Sequence, residues 1–443
     1  MPKPPMMVNS FDRGAAGDLP ASIQSLLKRR ERVLPGSYRL FYEQPVHVVR
    51  GEGVHLYDEA GNAYLDVYNN VPSVGHCHPH VVAAQARQAA ILNTHTRYLY
   101  EGLLDYAEKL TATFPSELSQ VMLTCTGSES SDLALRIART FTGGTGIVVT
   151  SNAYHGLTSA VAEISPSLGA GVPLGAHVRA VRAPDTYRTS DVKDIFAADV
   201  RAAIADLRHH GIRPAALMFD TIFSSDGIFS HPAGFIDQAV DAMRDCGGLF
   251  IADEVQPGFG RTGDGMWGFA RHGLVPDIVV LGKPMGNGIP MGGVVARPAI
   301  LEKFSSTARY FNTFGGNPVS CAAGLAVLEV IEKEKLIENA RDVGDHLQRG
   351  LRGLQAKYEC IGDVRGAGLF IGVDLVRDRK SKQPDSSTAL ALVNALRAKR
   401  VLISASGPLG HVLKIRPPLP FSKANADQFI EKLSEALHEV VVS

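Results

Sequence analysis

A chain of 443 residues that is 45% hydrophobic exceeds the roughly 250 to 300 residues at which a single core stops growing, so more than one packed unit is expected. Its 45 Lys and Arg balance 45 Asp and Glu, which excludes the basic field that general recognition of nucleic acid or an acidic membrane requires. Cys77, Cys125, Cys246, Cys321 and Cys360 form no CxxC pair and read as free thiols in a reducing compartment.

The first twenty residues carry Pro2, Pro4, Pro5, Asp12, Arg13 and Asp18 without a continuous apolar core, so neither a secretion signal nor a membrane anchor is expected. No later run supplies the roughly 20 apolar residues of a spanning helix, and the expectation is a cytoplasmic protein. The run Lys28, Arg29, Arg30, Arg32 is broken by Glu31 inside a helix expected over residues 23–32, which makes it a solvated face. Short strands follow over 46–50, 53–58 and 64–67, with Asp58 to Asn62 as the hairpin turn. Over 71–326 apolar runs alternate with helical stretches. Strands are expected at 146–150, 215–219, 248–252 and 277–281, and helices at 130–141, 200–209 and 234–245. Such alternation implies an α/β unit with a mostly parallel sheet covered by helices on both faces. A helix over 318–333, an extended stretch over 364–375 and a last helix capped by Ser422 form a smaller α+β unit. The expected division is an arm and strands at 1–70 that complete the small unit, a large domain at 71–326 and the small domain at 327–443.

Several segments carry chemistry. Gly127 and Ser128 open a helix, where close backbone approach, a hydroxyl and free amides suit a phosphate; a plain turn and cap is the alternative. Tyr154 and His155 follow the strand at 146–150, at the sheet edge where open α/β proteins bind ligands. Asp253 and Glu254 end an apolar strand, and a carboxylate there needs a cation or a protonated nitrogen; either residue could instead serve a structural ion pair. Lys283 lies in Gly282-Lys283-Pro284-Met285-Gly286 at the end of the next strand, where burial would lower its pKa and make it a nucleophilic amine. Thr313 sits in a flexible Asn312–Asn317 stretch suited to a phosphate oxygen, and Arg416 precedes Pro417 and Pro418, where its fork could grip a carboxylate or form a salt bridge. His76, Cys77, His78 and His80 look metal-like but lack a second cluster, and no zinc or other metal site is expected. Gly366, Gly368 and Gly372 do not satisfy GxGxxG, which speaks against a nicotinamide fold.

Taken in order, GSES before LALRIAR, YHG, ADEVQPGFGRTG, LGKPMGNG, YFNTFGGNP and KIRPPL resemble the class III aminotransferases from about Leu40 onward. The resemblance implies the type I pyridoxal-phosphate fold. It also implies pyridoxal 5'-phosphate as cofactor, held by Lys283 as a Schiff base, with Lys283 moving the substrate proton. By the same resemblance Asp253 partners the pyridine nitrogen, Val255 and Tyr154 sandwich the ring, and Gln256 lies near the phenolic oxygen. Gly127, Ser128 and His155 help to form the cofactor site, and Thr313 contacts the phosphate of a neighbouring subunit, so a homodimer with shared sites is expected. Asn69, Asn70 and Val71 before GHCHP, with residues 93–98, resemble the branch of alanine–glyoxylate aminotransferase 2 and the amino-alcohol phospho-lyases. Arg416, Tyr98 and Asp220 are the candidate substrate contacts, Asp220 standing where many relatives have a glutamate that pairs with the arginine. The expected reaction is ping-pong transfer of an amino group from a primary amine or ω-amino acid to pyruvate, glyoxylate or another keto acid. The alternatives are a phospho-lyase of a phosphorylated amino alcohol and a cofactor-free scaffold of the same fold.

Overall fold

The computed structural model describes residues 9–12, 14, 17 and 19–442. Pro2, Pro4, Pro5, Arg13 and Asp18 of the proline-rich arm lie outside the described residues.

The large unit is built on a seven-stranded sheet in the order Gln120–Thr124, Gly292–Ala296, Ile278–Leu281, Leu249–Asp253, Pro214–Asp220, Gly146–Thr150, Val178–Val181. Only Gly292–Ala296 runs against its neighbours in this sheet. The four strands expected from apolar runs are all present, shifted by one residue at most. Their continuous apolarity has a physical source, because both faces are covered. Leu217, Phe219, Phe250, Val279 and Leu281 enter one core, while Met218, Ile251, Ile278 and Val280, at alternate positions, enter the core on the opposite face.

Like-directed strands place their carboxyl ends on one edge, so Thr124, Thr150, Asp220, Asp253 and Leu281 all deliver the chain to the same side. From Thr124 the chain turns at once into the helix Gly127–Thr142, whose first turn is fixed by the Thr126 side chain accepting from the Glu129 amide. Gly143, at φ +68°, ends that helix in the left-handed conformation that glycine adopts without strain.

The C-terminal part forms a four-stranded antiparallel sheet, ordered Ile361–Ala367, Phe370–Leu375, Val412–Ile415, Ser404–Ser406. What reads as one extended stretch at 364–375 is therefore a hairpin. The N-terminal strands Val48–Glu52, His55–Asp58 and Ala63–Asp66 form their own sheet, which Val401–Leu402 joins in parallel. The two ends of the chain are thus tied together through backbone hydrogen bonds. Ser422 caps the helix Lys423–Leu437 as expected, in a capping box with Asn425.

A buried carboxylate joins the C-terminal sheet to the large unit. Asp374 receives both ends of the Arg188 guanidinium at 2.8 and 2.7 Å and Arg365 at 2.9 Å. Arg365 in turn donates to the carbonyls of Gly227 and Ile228. Among the described residues no helix is long and apolar enough to cross a membrane.

Candidate active site

At the carboxyl edge of the large sheet lies a cavity of about 200 Å³ lined by Gly127, Ser128, Tyr154, His155, Asp220, Asp253, Val255, Gln256 and Lys283. Each arrives from the end of a strand, which is why residues spread over more than 150 positions of sequence converge.

Gly127 and Ser128 lie at the start of a 16-residue helix, where the first amides have no intrahelical acceptor and the dipole favours an anion. Ser128 Oγ accepts from the Leu157 amide at 3.1 Å, which fastens the loop carrying Tyr154 and His155 to this helix start. The approach is close enough to demand glycine at 156. Its φ is +145°, and a Cβ there would lie 2.5 Å from Ser128 Oγ.

Asp253 is 3% exposed and accepts from His155 Nδ1 at 2.7 Å and from the Val255 amide at 3.0 Å. Its neighbour Glu254 turns the other way, accepting from the amides of Gly268 and Phe269 and from Thr221 Oγ1 at 2.7, 2.8 and 3.0 Å. Burial pushes the Glu254 carboxyl up to about 7, against the pull of these donors. Geometry therefore separates the two acids: Asp253 borders the cavity and Glu254 holds the segment around 268 in place.

Lys283 and Asp253 both line the cavity. Burial lowers its pKa below that of an ordinary lysine, Arg416 adds to the effect, and Asp253 and Asp220 oppose it. Burial likewise raises the Tyr154 phenol.

Arg416 is 7% exposed, and its Nη1 donates to Asn70 Oδ1 at 2.8 Å and to Gln256 Oε1 at 2.5 Å. The guanidinium lies on the Tyr68 ring, 4.4 Å from its centroid. Asp220 does not reach it. One Asp220 oxygen accepts from the Ile222 amide at 2.9 Å and the other from the Ser224 amide at 2.8 Å, so this carboxylate closes its own turn. Gln256 is similarly committed, its amide nitrogen donating to Ser224 Oγ at 2.5 Å.

Arg416 is not in the cavity lining and adjoins it through Gln256, and Tyr98 and Thr313 are not brought to the cavity. Tyr98 is 65% exposed and stacks on His95 with ring centroids 5.0 Å apart. Thr313 is exposed, beside a separate groove of about 520 Å³ that includes Arg97, Phe311 and Asn312. The histidines of the GHCHP segment point to three different acids: His76 to Asp66, His78 to Glu334 and His80 to Glu329, at 2.7, 2.9 and 2.6 Å.

Reading the sequence for single motifs overlooked Asn70 and Tyr68 as partners of Arg416, and also Lys414. Lys414 is 7% exposed and donates to the Ser224 carbonyl at 3.0 Å. A signal for it existed. Residues two apart in extended chain share a face, so Lys414 in the strand Val412–Ile415 and Arg416 just beyond it are candidates for the same side.

The chain matches known proteins along most of its length. The family model described as "Aminotransferase class-III" matches residues 41–437. An "alanine–glyoxylate aminotransferase 2-like" protein of Drosophila melanogaster is 41% identical, over 94% of this chain and 87% of that protein. An "ethanolamine-phosphate phospho-lyase homolog 1" of Caenorhabditis elegans is 38% identical, over 94% of each. Among solved structures, a phospholyase from Arthrobacter in complex with phosphoethanolamine superposes with a TM-score of 0.90 at 44% identity, covering 93% of this chain and 99% of that one. The chain belongs to the class III aminotransferases, a family of pyridoxal-phosphate-dependent enzymes.

Proposed function

We propose that this enzyme carries pyridoxal phosphate on Lys283 and releases phosphate from a small phosphorylated amino alcohol. The lining fits the cofactor on three counts. A helix start is open to a phosphate at Gly127 and Ser128, a buried carboxylate waits at Asp253 for a protonated ring nitrogen, and an amine of lowered pKa stands at Lys283. The bound cofactor supplies an aldehyde that condenses with amines and a ring that accepts the electrons left behind when a proton departs. Asp253, its carboxylate held in place by His155, would keep the ring nitrogen protonated. Val255 and Tyr154, both in the lining, would hold the ring between them. Lys283 takes the proton from the substrate carbon, and burial, by lowering its pKa, favours the neutral amine that this role needs.

One observation carries the substrate assignment. Arg416 lowers the Lys283 pKa and touches Gln256 of the cavity lining, and among the described residues it is not ion-paired: its hydrogen-bond partners are Asn70 and Gln256. A buried guanidinium without a carboxylate partner suits an anionic group on the substrate, whereas burial and Arg416 push the Lys414 pKa well below the usual lysine range. Transamination remains supported by Arg416, which can hold the carboxylate of a keto acid. A donor amine lacking a carboxylate would, however, leave that guanidinium uncompensated, because Asp220 is tied to its own turn. Two of the relatives described above are named as phospho-lyases. In the net reaction a phosphorylated amino alcohol and water give phosphate, ammonia and an aldehyde.

The same reading assigns residues 71–326 as the cofactor-binding domain, and 1–70 with 327–443 as the small domain. It also makes the protein a homodimer in which Thr313 reaches the neighbouring site. Leu99 at 100% exposure, Phe314 at 69% and Tyr98 at 65% provide the apolar surface for such a contact.

The test is to incubate the holoenzyme with phosphoethanolamine and no keto acid. Phosphate and ammonia should appear in equal amounts, and Lys283→Ala should abolish both. No phosphate released in this incubation, with amine transfer in a parallel one containing pyruvate, would overturn the assignment in favour of transamination.

A further inference from the structure

The turn that follows the strand Pro214–Asp220 is held in an uncommon shape. Phe223 is 1% exposed and has φ +52°, a left-handed conformation that is strained for a bulky side chain. Two sets of contacts keep it there. Its ring packs against Phe219 and Phe196 with centroids 5.1 and 5.8 Å apart, and its carbonyl accepts from the amides of Asp226, Gly227 and Ile228 at 3.1, 3.1 and 3.0 Å. The turn delivers the next residue, Ser224, to a fully buried position between the cavity wall and the C-terminal sheet.

The amide, hydroxyl and carbonyl of Ser224 are all engaged, with partners in two parts of the molecule. On the cavity side the Ser224 amide donates to Asp220 at 2.8 Å, and Ser224 Oγ accepts from Gln256 Nε2 at 2.5 Å. Asp220 and Gln256 are both in the lining. Because Gln256 Oε1 accepts from Arg416, the Gln256 amide cannot be turned over, and Ser224 is what its nitrogen is held by. The Ser224 hydroxyl still has a proton to place, and it acts on Asp220. Burial pushes the Asp220 carboxyl up, and the Ser224 side chain is the largest influence against it. On the other side the Ser224 carbonyl accepts from Ser406 Oγ at 2.9 Å and from Lys414 Nζ at 3.0 Å, each on a strand of the four-stranded C-terminal sheet. The next carbonyl, that of Ser225, accepts from the Gly407 amide at 3.2 Å.

We propose that Ser224 is a positioning residue: its hydroxyl sets the Gln256 amide and the Asp220 carboxylate in the cavity wall, and the C-terminal sheet sets Ser224 through its carbonyl. The inference rests on the reading above only in placing the cofactor on Lys283, and it holds for phosphate release and for transamination alike. Serine suits the place because one hydroxyl accepts from the first neighbour while donating to the second.

Ser224→Ala removes the hydroxyl and leaves the backbone bonds of the turn. Asp220 then loses its strongest opposing donor and takes up a proton more readily, which weakens the negative field it exerts on Lys283. Asp253, Asp226, Glu254 and Lys414 interact electrostatically with the same carboxyl and are unchanged by the substitution. The pH at which the cofactor absorbance of the holoenzyme changes should therefore fall by roughly half a unit or more. Ser406→Ala, which loosens only the carbonyl contact, should move it the same way by less. Ser422→Ala, which weakens the fold at the cap of the last helix, should leave it in place. Titration of the apoproteins with pyridoxal phosphate reads the Gln256 arm. Ser224→Ala should bind about 3- to 10-fold more weakly than the parent, with a smaller further loss when it is added to Gln256→Ala. An unmoved absorbance profile in Ser224→Ala, an equal shift in Ser422→Ala, or affinity losses that simply add would overturn the proposal. A cofactor band in Lys283→Ala identical to the parent's would instead overturn the placement of the cofactor, whatever Ser224→Ala does.

Discussion

Replacing Asp374 with Asn tests whether the C-terminal sheet and the large unit are held together by charge. Asp374 is fully buried and receives Arg188 through two hydrogen bonds and Arg365 through one. Breaking a buried ion pair from one side costs about 3–5 kcal/mol, because the partner is left buried and uncompensated. The low end applies. Arg188 is 22% exposed and retains Asp185 at 3.2 Å, and Arg365 retains Asp363 at 2.9 Å. In a protein of this size about 3 kcal/mol corresponds to a fall of roughly 3 °C in thermal midpoint, read by calorimetry at a fixed scan rate. The pH dependence gives a second check. Burial pushes the Asp374 carboxyl up, but Arg188, His411 and Arg365 outweigh it and hold the pKa well below the usual carboxylate range. Such a group contributes fully above its unfolded value of about 3.9, and the contribution disappears as pH falls through the lower folded value. The gap between parent and Asp374→Asn should therefore persist down to about pH 4 and close below it. A variant that melts within one degree of the parent at neutral pH would refute the reasoning.

Two further outcomes follow from the geometry. Gly156→Ala places a Cβ 2.5 Å from Ser128 Oγ and 2.8 Å from its Cα, at φ +145°. The helix start must shift, and titration of the apoprotein should show pyridoxal-phosphate affinity reduced about tenfold or more; unchanged affinity would separate this loop from cofactor binding. His272 is held neutral, its Nε2 donating to the Thr221 carbonyl at 2.9 Å and its Nδ1 accepting from the Gly234 amide at 3.3 Å. Burial moves its pKa from 6.5 to about 4. The unfolded chain thus binds the proton first, and stability should fall by up to about 1.4 kcal/mol per pH unit as pH drops from 6.5 to 4. In His272→Asn, chemical denaturation across that window should lose this component of the slope, and an unchanged slope would place the titration elsewhere.

The parts of the fold legible in the sequence are those where one local rule decides. The strands at Gly146–Thr150 and Leu249–Asp253 are continuous apolar runs because helices cover both faces. The final helix announces itself by Ser422 and its apolar stripe. By contrast, Gly292–Ala296 follows a glycine-rich turn and returns antiparallel into a parallel sheet, an arrangement that its own residues do not encode. Val401–Leu402 is only two residues long, and its pairing partner lies at Ala63–Asp66. The approximate carboxyl-edge placement of Asp253 and Lys283 was readable because each directly follows an apolar strand.

The sequence by itself thus determined the family, the α/β architecture and the strand-end residues, since these depend on periodicity and on short motifs in a fixed order. Only the tertiary structure decided what surrounds Arg416. Its partners Asn70 and Gln256 are 346 and 160 residues away, and no local pattern links positions so distant. Whether a buried cation is neutralised depends on which side chains the fold aims at it. Here Asp220, the nearby acid that sequence reasoning would assign, closes its own turn, and the guanidinium is left to neutral partners.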